Sequence, residues 1–297
     1  MPAAVLIVQL ARCGLLVSLM LGMGAISGCS TMSKFYRFFV APDCEAGAPV
    51  KEQEYELVVR DIPMDGYYAE VRASAPTAPL EVLAEIDVDG TQHPIHLIGP
   101  VGPGDGPRIL VVAGVHGNEI AGTLAVPQIL ERHAGPDGAA VDLYLVTPAN
   151  PVGIVYQSRF NAEGCDVNRD FGPFRTPEAR AIAAAISQIE PDVIVSLHEG
   201  PGDGIFVIAT RSAPPGSAEA MIAVVDEVGL DISTVDLLGL SMDADGVMNE
   251  GWFLTFGKSL LSIDSLGAYA HGRGLGTLTV ETRWDGKDID ARVAAQV

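Results

Sequence analysis

The sequence predicts an α/β fold, with a central sheet that is covered by helices on both faces. Short apolar runs rich in Val and Ile alternate along the chain with longer Ala-rich segments of helical pattern. The 33 glycines, the 20 prolines and the hydrophobic fraction of 48% are typical of a loop-rich globular protein of this class. Polar residues follow two of the apolar runs directly, at the strand ends where open α/β sheets bind ligands.

Residues 1–28 have the composition of an export signal. No residue from Gly14 to Gly28 is charged, and this stretch is shorter than the ~20 residues that a spanning helix needs. Small residues precede Cys29, which resembles a bacterial lipoprotein signal. We expect an exported protein that Cys29 anchors through lipid to a bacterial membrane, facing the periplasm. The alternative is an ordinary signal peptide or a retained anchor, with an incidental cysteine.

The next segment, residues 29–79, is predicted to be a tether followed by a peripheral β segment, and residues 80–297 form the main domain. Within the β segment, Tyr55–Arg60 has a strand pattern and Met64–Tyr67 has the composition of a turn. The main domain begins with a hairpin, because Asp89-Gly90 separates two apolar runs.

The remaining elements of the main domain follow from apolar runs and capping signals. Five further strands are predicted, at 109–113, 141–146, 193–197, 205–209 and 277–284. Three helices are predicted, at 121–132, from the Thr176 cap to 189, and at 218–228. Residues 147–153 have the composition of a turn-rich loop, and residues 231–276 give no clear pattern.

Three residues form a candidate metal site. His116 and Glu119 follow the strand at 109–113, and His198 follows the strand at 193–197. Two imidazoles and one carboxylate are the protein ligands of many catalytic zinc ions, whose fourth position stays open for water. One histidine alone is more often structural, but two histidines in matching positions favour a zinc site.

A buried acid and a loop of cations complete the candidate site. Glu281 lies inside an apolar strand, where a carboxylate is costly unless it is paired or catalytic, so it is a candidate general base. Its structural alternative is an ion pair with a neighbour such as Arg283. Arg159 and Arg169 are suited to bind a carboxylate or an oxyanion, and Asn168 adds an amide donor. Taken as isolated residues, these arginines would form ion pairs with the many acidic side chains at the protein surface.

The motifs resemble those of M14-type zinc carboxypeptidases and of their deacylase relatives, aspartoacylase and succinylglutamate desuccinylase. The resemblance covers about residues 81–284 and rests on six motifs: His116-Gly-Asn-Glu119, Asn150-Pro-Val-Gly153, Arg159-Phe-Asn161, Gly164-Cys-Asp-Val-Asn-Arg-Asp-Phe171, Ser196-Leu-His198 and Thr279-Val-Glu281. It implies a mixed, mostly parallel sheet of about eight strands.

The same resemblance implies a role for each site residue. His116, Glu119 and His198 would bind one Zn²⁺, and Glu281 would be the general base. Arg159 would polarise the scissile carbonyl, while Asn168 and Arg169 would hold the terminal carboxylate of the substrate. The tyrosine that many of these peptidases use near the substrate is not located by the motifs, and Tyr269 is a candidate only because it precedes Glu281.

Charge and cysteine content restrict the other functions. The net charge of −20 makes nucleic acid an unsuitable partner. Cys44 and Cys165 could form a disulfide in an exported protein, or could merely pack as thiols, and the sequence does not decide between the two. The glycines near His116 lack the triple-glycine spacing of a dinucleotide site.

The expected function is hydrolysis of an amide bond next to a free carboxylate, most simply by a carboxypeptidase acting on short or cell-wall peptides. The first alternative is an N-acyl amino acid deacylase. The alternative from another class is an inactive, zinc-holding lipoprotein that binds peptides, although the presence of Glu281 counts against it.

Overall fold

The structure is a computed structural model, which describes residues 44, 61–134, 140–200, 203–227, 229–235, 242, 244–249, 263–284 and 288–297. The predicted leader, Cys29 and the predicted strand at 55–60 lie outside the described residues. The proposed division between residues 79 and 80 stays a prediction. No helix in the described part of the chain is both long enough and apolar enough to span a membrane.

Eight strands form one mixed sheet in the order β1-β2-β4-β3-β5-β8-β6-β7. The strands are β1 (Leu80–Val88), β2 (Thr91–Val101), β3 (Arg108–Ala113), β4 (Asp142–Thr147), β5 (Val193–Gly200), β6 (Phe206–Ala209), β7 (Val247–Asn249) and β8 (Gly276–Arg283). The central strands β4, β3, β5 and β8 are parallel to one another, and antiparallel strands flank them on both sides. The predicted fold class is confirmed.

Helices cover both faces of the sheet. The described helices are α1 (Met64–Ser74), α2 (Ile120–Ala134), α3 (Pro151–Tyr156), α4 (Pro177–Ile189), α5 (Ser217–Glu227), α6 (Leu266–His271) and α7 (Ile289–Ala294). Val111 of β3 belongs to a core with α1, α2 and α5, whereas its neighbour Val112 belongs to a core with α3, α4 and α6. Adjacent residues of β3 therefore enter opposite layers, as strand geometry requires.

The first hairpin is confirmed in position and in turn chemistry. β1 pairs with β2 in antiparallel register through the turn at Asp89 and Gly90, whose φ values are 52° and 80°. Two consecutive positive φ values are those of a type I′ turn, which the Asp-Gly sequence favours.

Two local predictions were wrong. The structure has helix α1 where the sequence predicted a turn at Met64–Tyr67 within a β segment. Tyr67 and Val71 lie one helical turn apart on the buried face of α1, and this burial outweighs the turn composition. The loop predicted at residues 147–153 contains the start of α3, because the Asn150 side chain caps the helix by accepting a hydrogen bond from Gly153 N.

Cys44 and Cys165 form a disulfide across a sequence separation of 121 residues, so the alternative of two packed thiols is excluded. The two residues also form an isolated antiparallel bridge. This bond fastens Cys44 to the loop that continues into Asp166 and the short 3₁₀ helix Val167–Arg169.

Candidate metal centre and active-site cavity

The sheet brings the three predicted metal ligands together. His116 and Glu119 follow β3, and His198 lies near the end of the adjacent parallel strand β5. The Nδ1 atom of His116 lies 2.7 Å from Glu119 Oε1, and the Nδ1 atom of His198 lies 2.7 Å from Glu119 Oε2. One ligand atom from each residue lies within 4.8 Å of the others, and all three side chains are buried. These residues could therefore hold a metal ion.

The charges around this cluster fit a cation. Burial alone would raise the pKa of Glu119, but the His116 and His198 imidazoles beside it hold that pKa well below its usual range. Burial and Arg159 lower the pKa of His116, but the carboxylates of Glu119 and Asp166 outweigh them and raise it. The donors themselves, two imidazole nitrogens and a carboxylate, are a set that zinc accepts.

A close backbone approach fixes the turn that carries His116 and Glu119. A Cβ atom on Gly117 would lie 1.8 Å from the carbonyl carbon of Gly153, so only glycine fits here. The amide of Gly117 donates to Ser158 O at 2.8 Å, and the amide of Glu119 donates to His116 O at 3.2 Å. The loop after β3 is thus locked against α3, which explains the glycine in the His-Gly-Asn-Glu motif.

Asp166 is a site residue to which the sequence reasoning gave no role. Its Oδ1 lies 3.2 Å from His116 Nε2, on the opposite side of the ring from Glu119. Its Oδ2 accepts a hydrogen bond from Arg159 Nε at 2.9 Å. Metal-binding histidines commonly direct their second ring nitrogen to a carboxylate, and this rule predicts an acidic partner for His116 without showing which acid it is.

Arg159 lies in the cluster. It is buried, and besides its contact with Asp166 it donates from Nη1 to Glu119 Oε1 at 3.3 Å. Arg159 and His116 lie beside Asp166, and they hold the pKa of its buried carboxyl well below the usual value.

Glu281 lies on β8 directly opposite His198 of β5 in the parallel register. Burial raises the pKa of Glu281 to about 8, with Glu119 adding to the increase while His198 and Arg159 oppose it. Its side chain lines the same cavity as the metal cluster. A carboxylate with a raised pKa in a cleft is suited to proton transfer.

Asn168 and Arg169 also line this cavity. The side-chain oxygen of Asn168 accepts a hydrogen bond from Leu266 N at 2.9 Å, which leaves its amide nitrogen as the group that could donate to a substrate. Arg169 donates from Nη1 to the carbonyl oxygen of Asn168 at 2.9 Å. Both residues lie on the 3₁₀ helix that Asp166 caps, and Asp166 also contacts His116, so this loop is linked to the metal cluster.

The rest of the cavity wall consists of polar and aliphatic residues to which the sequence reasoning gave no role, although Ser196 and Thr279 belong to its motifs. These are Ser196, Glu199, Ile208, Thr210, Ile263, Ser265, Leu266, Gly267 and Thr279. The Ser196 hydroxyl is buried and has no hydrogen-bond partner within the described part of the chain. Several of these residues come from segments that are distant in sequence, and no local pattern indicates them.

Tyr269 does not take part in the cavity. Its ring packs on Phe174 at a centroid distance of 5.3 Å and on Phe171 at 5.9 Å, and Arg273 lies over it at 4.1 Å. Among the residues that the structure describes, no tyrosine lines the cavity.

Comparisons with known proteins include the segment that carries His116, Glu119 and His198. Residues 105–201 match the model of the succinylglutamate desuccinylase/aspartoacylase catalytic domain. Carboxypeptidase 2 of Trichophyton tonsurans is 30% identical over 98 residues, which are 31% of this chain and 18% of that protein. The chain spans about a fifth of the length of the curated relatives it matches.

Solved structures show the same fold over most of the chain. A candidate metallopeptidase from Shewanella denitrificans OS217 has a TM-score of 0.64 at 21% identity, covering 86% of this chain and 93% of its own. A metallo-carboxypeptidase from Burkholderia cenocepacia has a TM-score of 0.55 at 18% identity, covering 78% and 65%. A metallo-carboxypeptidase from Pseudomonas aeruginosa, in complex with (2-guanidinoethylmercapto)succinic acid, has a TM-score of 0.52 at 18% identity, covering 77% and 65%. This chain therefore has a metallocarboxypeptidase-like fold, its metal-cluster segment matches the succinylglutamate desuccinylase/aspartoacylase catalytic domain, and the resemblance predicted from its motifs is confirmed.

Proposed function

We propose that the protein is a zinc-dependent hydrolase that cleaves an amide bond next to a free carboxylate. The observation that carries this proposal is the content of one cavity, where a His₂Glu cluster, an acid with a raised pKa and two arginines meet. The acid is suited to move a proton, and the arginines are suited to hold negative charge.

His116 Nδ1, His198 Nδ1 and the Glu119 carboxylate would hold the ion, since these atoms already converge. Zinc bound there supplies a Lewis acid for the scissile carbonyl and lowers the pKa of water. Asp166 holds the His116 ring in place through Nε2. The protein thus fixes the orientation of the ligands before substrate arrives.

The proton is moved by Glu281. In its ionised form this carboxylate takes the proton of the attacking water, and in its protonated form it delivers that proton to the leaving nitrogen. Its position opposite His198 in the register places it beside the metal ligands. Burial makes the protonated form accessible near neutral pH, which the second step requires.

The loop that carries Arg159, Asn168 and Arg169 would bind the negative charges of the substrate. Arg159 lies against the metal cluster, where its positive charge would stabilise the oxyanion that develops on the carbonyl. Asn168 and Arg169 are the donors for the terminal carboxylate of the substrate, and Arg offers two parallel N–H groups for it. The neighbour from Pseudomonas aeruginosa was solved with a succinic acid derivative, a ligand that carries carboxylates, and this supports the assignment.

We favour carboxypeptidase activity on short or cell-wall peptides, because the curated relatives are carboxypeptidases. Deacylation of N-acyl amino acids is the second candidate, since the matching catalytic domain is that of deacylases. The test compares zinc-loaded protein on C-terminal peptides with the same protein on N-acetyl and N-succinyl amino acids. Release of C-terminal amino acids supports the first candidate, and release of only acetate or succinate supports the second. No turnover of either class contradicts the proposal and favours an inactive binding protein.

We further propose that the protein acts in a bacterial envelope, anchored through lipid on Cys29. The support is the apolar leader that ends in small residues before this cysteine. Labelling with radioactive palmitate is expected for the wild type and not for Cys29→Ser. Equal labelling of the two proteins would contradict the anchor.

A further inference from the structure

A buried ion pair lies next to the metal cluster. Glu199 follows His198 on β5, and its side chain is fully buried. Arg292 of α7 donates to it twice, from Nε to Oε1 at 2.7 Å and from Nη2 to Oε2 at 2.8 Å. This two-point contact fixes both the distance and the orientation of the two groups.

The same carboxylate is tied to the segment that carries Glu119. Glu199 Oε2 accepts a hydrogen bond from the backbone amide of Ala121 at 2.9 Å, in the first turn of α2 and two residues after Glu119. The backbone amide of Glu199 donates to Glu119 Oε2 at 3.2 Å. Glu199 therefore links the β5 end that carries His198 with the α2 start that follows Glu119.

The side chain of Gln296 holds the peptide unit between His198 and Glu199. Gln296 Nε2 donates to the backbone oxygen of His198 at 2.8 Å and contacts Thr282 Oγ1 at 3.0 Å. The amide of the same peptide unit donates to Glu119, so both polar groups of this unit have a partner. The plane of the peptide that carries His198 is thus fixed from two sides.

We propose that Glu199, Arg292 and Gln296 form a brace that sets the geometry of the His116, Glu119 and His198 metal site. They are positioning residues, because they act through the backbone and carboxylate of the ligands. Without Arg292, the buried Glu199 carboxylate loses its counter-charge and the join between β5 and α2 loosens. Without Gln296, the His198 peptide loses one of its two restraints. This inference rests on the proposed metal site.

The test uses cobalt as a spectroscopic probe in the full-length protein. Metal is removed with a chelator, Co²⁺ is titrated in, and the visible absorption spectrum reports ligand geometry, with Zn²⁺ competition giving the zinc affinity. We expect Arg292→Met and Gln296→Met to bind about 10- to 100-fold more weakly, the range for changes behind metal ligands, and to shift the cobalt bands. Arg292→Lys should recover part of both effects.

Arg108→Met is the matched control. Arg108 lies at the opposite end of the sheet, at the start of β3, where it donates to Ile189 O. This variant should lose stability while keeping the wild-type cobalt spectrum and affinity. Gln296→Met removes no charge and keeps the test decisive if Arg292→Met does not fold.

Two negative outcomes are distinct. Wild-type spectrum and affinity in folded Arg292→Met or Gln296→Met would overturn the brace and leave the proposed function intact. Absence of Co²⁺ binding by the wild type itself would refute the proposed metal site, and with it the brace.

Discussion

Replacing Asp166 by Asn tests whether this residue orients the metal cluster. The Asp166 carboxylate contacts two buried groups at once, Arg159 Nε at 2.9 Å and His116 Nε2 at 3.2 Å. An amide has one acceptor oxygen in place of two, so Asp166→Asn can satisfy only one of these groups. The substitution keeps the volume of the side chain, and no cavity complicates the result.

The expected magnitude follows from these contacts. A hydrogen bond to a charged group contributes about 1.5–3 kcal/mol, so losing one and weakening the other lowers the free energy of unfolding by about 2–4 kcal/mol. Metal affinity should fall about 10- to 100-fold, because His116 loses the carboxylate that orients its ring. Urea unfolding of the metal-free protein measures the first quantity, and competition with a chromophoric chelator measures the second.

Asp142→Asn is the control for this experiment. Asp142 is also buried, and it accepts hydrogen bonds from the amides of Gly104 at 2.6 Å and Gly106 at 3.1 Å, but it lies at the start of β4, away from the cavity. It should lose comparable stability and keep its metal affinity. A folded Asp166→Asn protein with unchanged metal affinity would refute the orienting role.

Three further predictions follow from the cavity and the disulfide. Glu281→Gln should lower kcat by about 10²- to 10⁴-fold, while the zinc content measured by atomic absorption stays constant. Equal turnover by the variant and the wild type would exclude Glu281 as the general base. Glu281 must be ionised to act as a base, and burial raises its pKa to about 8, so kcat/KM should fall as the pH drops through that pKa. Bound zinc should shift this fall in kcat/KM to lower pH. A kcat/KM that stays constant from pH 8 to pH 5 would contradict this prediction. The charged groups that set this pKa are His198, Glu119, Arg159 and Glu199. Replacing Cys44 and Cys165 by Ser should cost about 2–4 kcal/mol in urea unfolding, and an unchanged midpoint would show that this link is dispensable.

The fold was predictable where local chemistry and burial agree. Asp89-Gly90 determines its turn, and Thr176 begins α4 because its side-chain oxygen accepts a hydrogen bond from Ala179 N at 3.2 Å. The α1 helix was missed because Met-Asp-Gly has the composition of a turn. The burial of Tyr67 in the core is a tertiary effect that overrides such a signal.

The convergence of His116, Glu119 and His198 could be predicted because each follows or ends a strand, and parallel strands bring their carboxyl ends to the same edge. Glu281 lies beside these residues because β8 is the strand next to β5. The outcome for Asp166 was different. It was visible in the motif, but only the three-dimensional position of the His116 ring shows that Nε2 faces it.

Arg292 and Gln296 illustrate the limit of sequence reasoning. They are separated from Glu199 and His198 by 93 and 98 residues, and no periodic or capping pattern connects them. Their partners become evident only when α7 is placed beside the ends of β5 and β8. An unpaired charge on Glu199 would be costly once the fold has buried it, and the structure identifies its partner as Arg292. The ion pair that the buried Glu199 carboxylate needs therefore also connects α7 to the metal cluster.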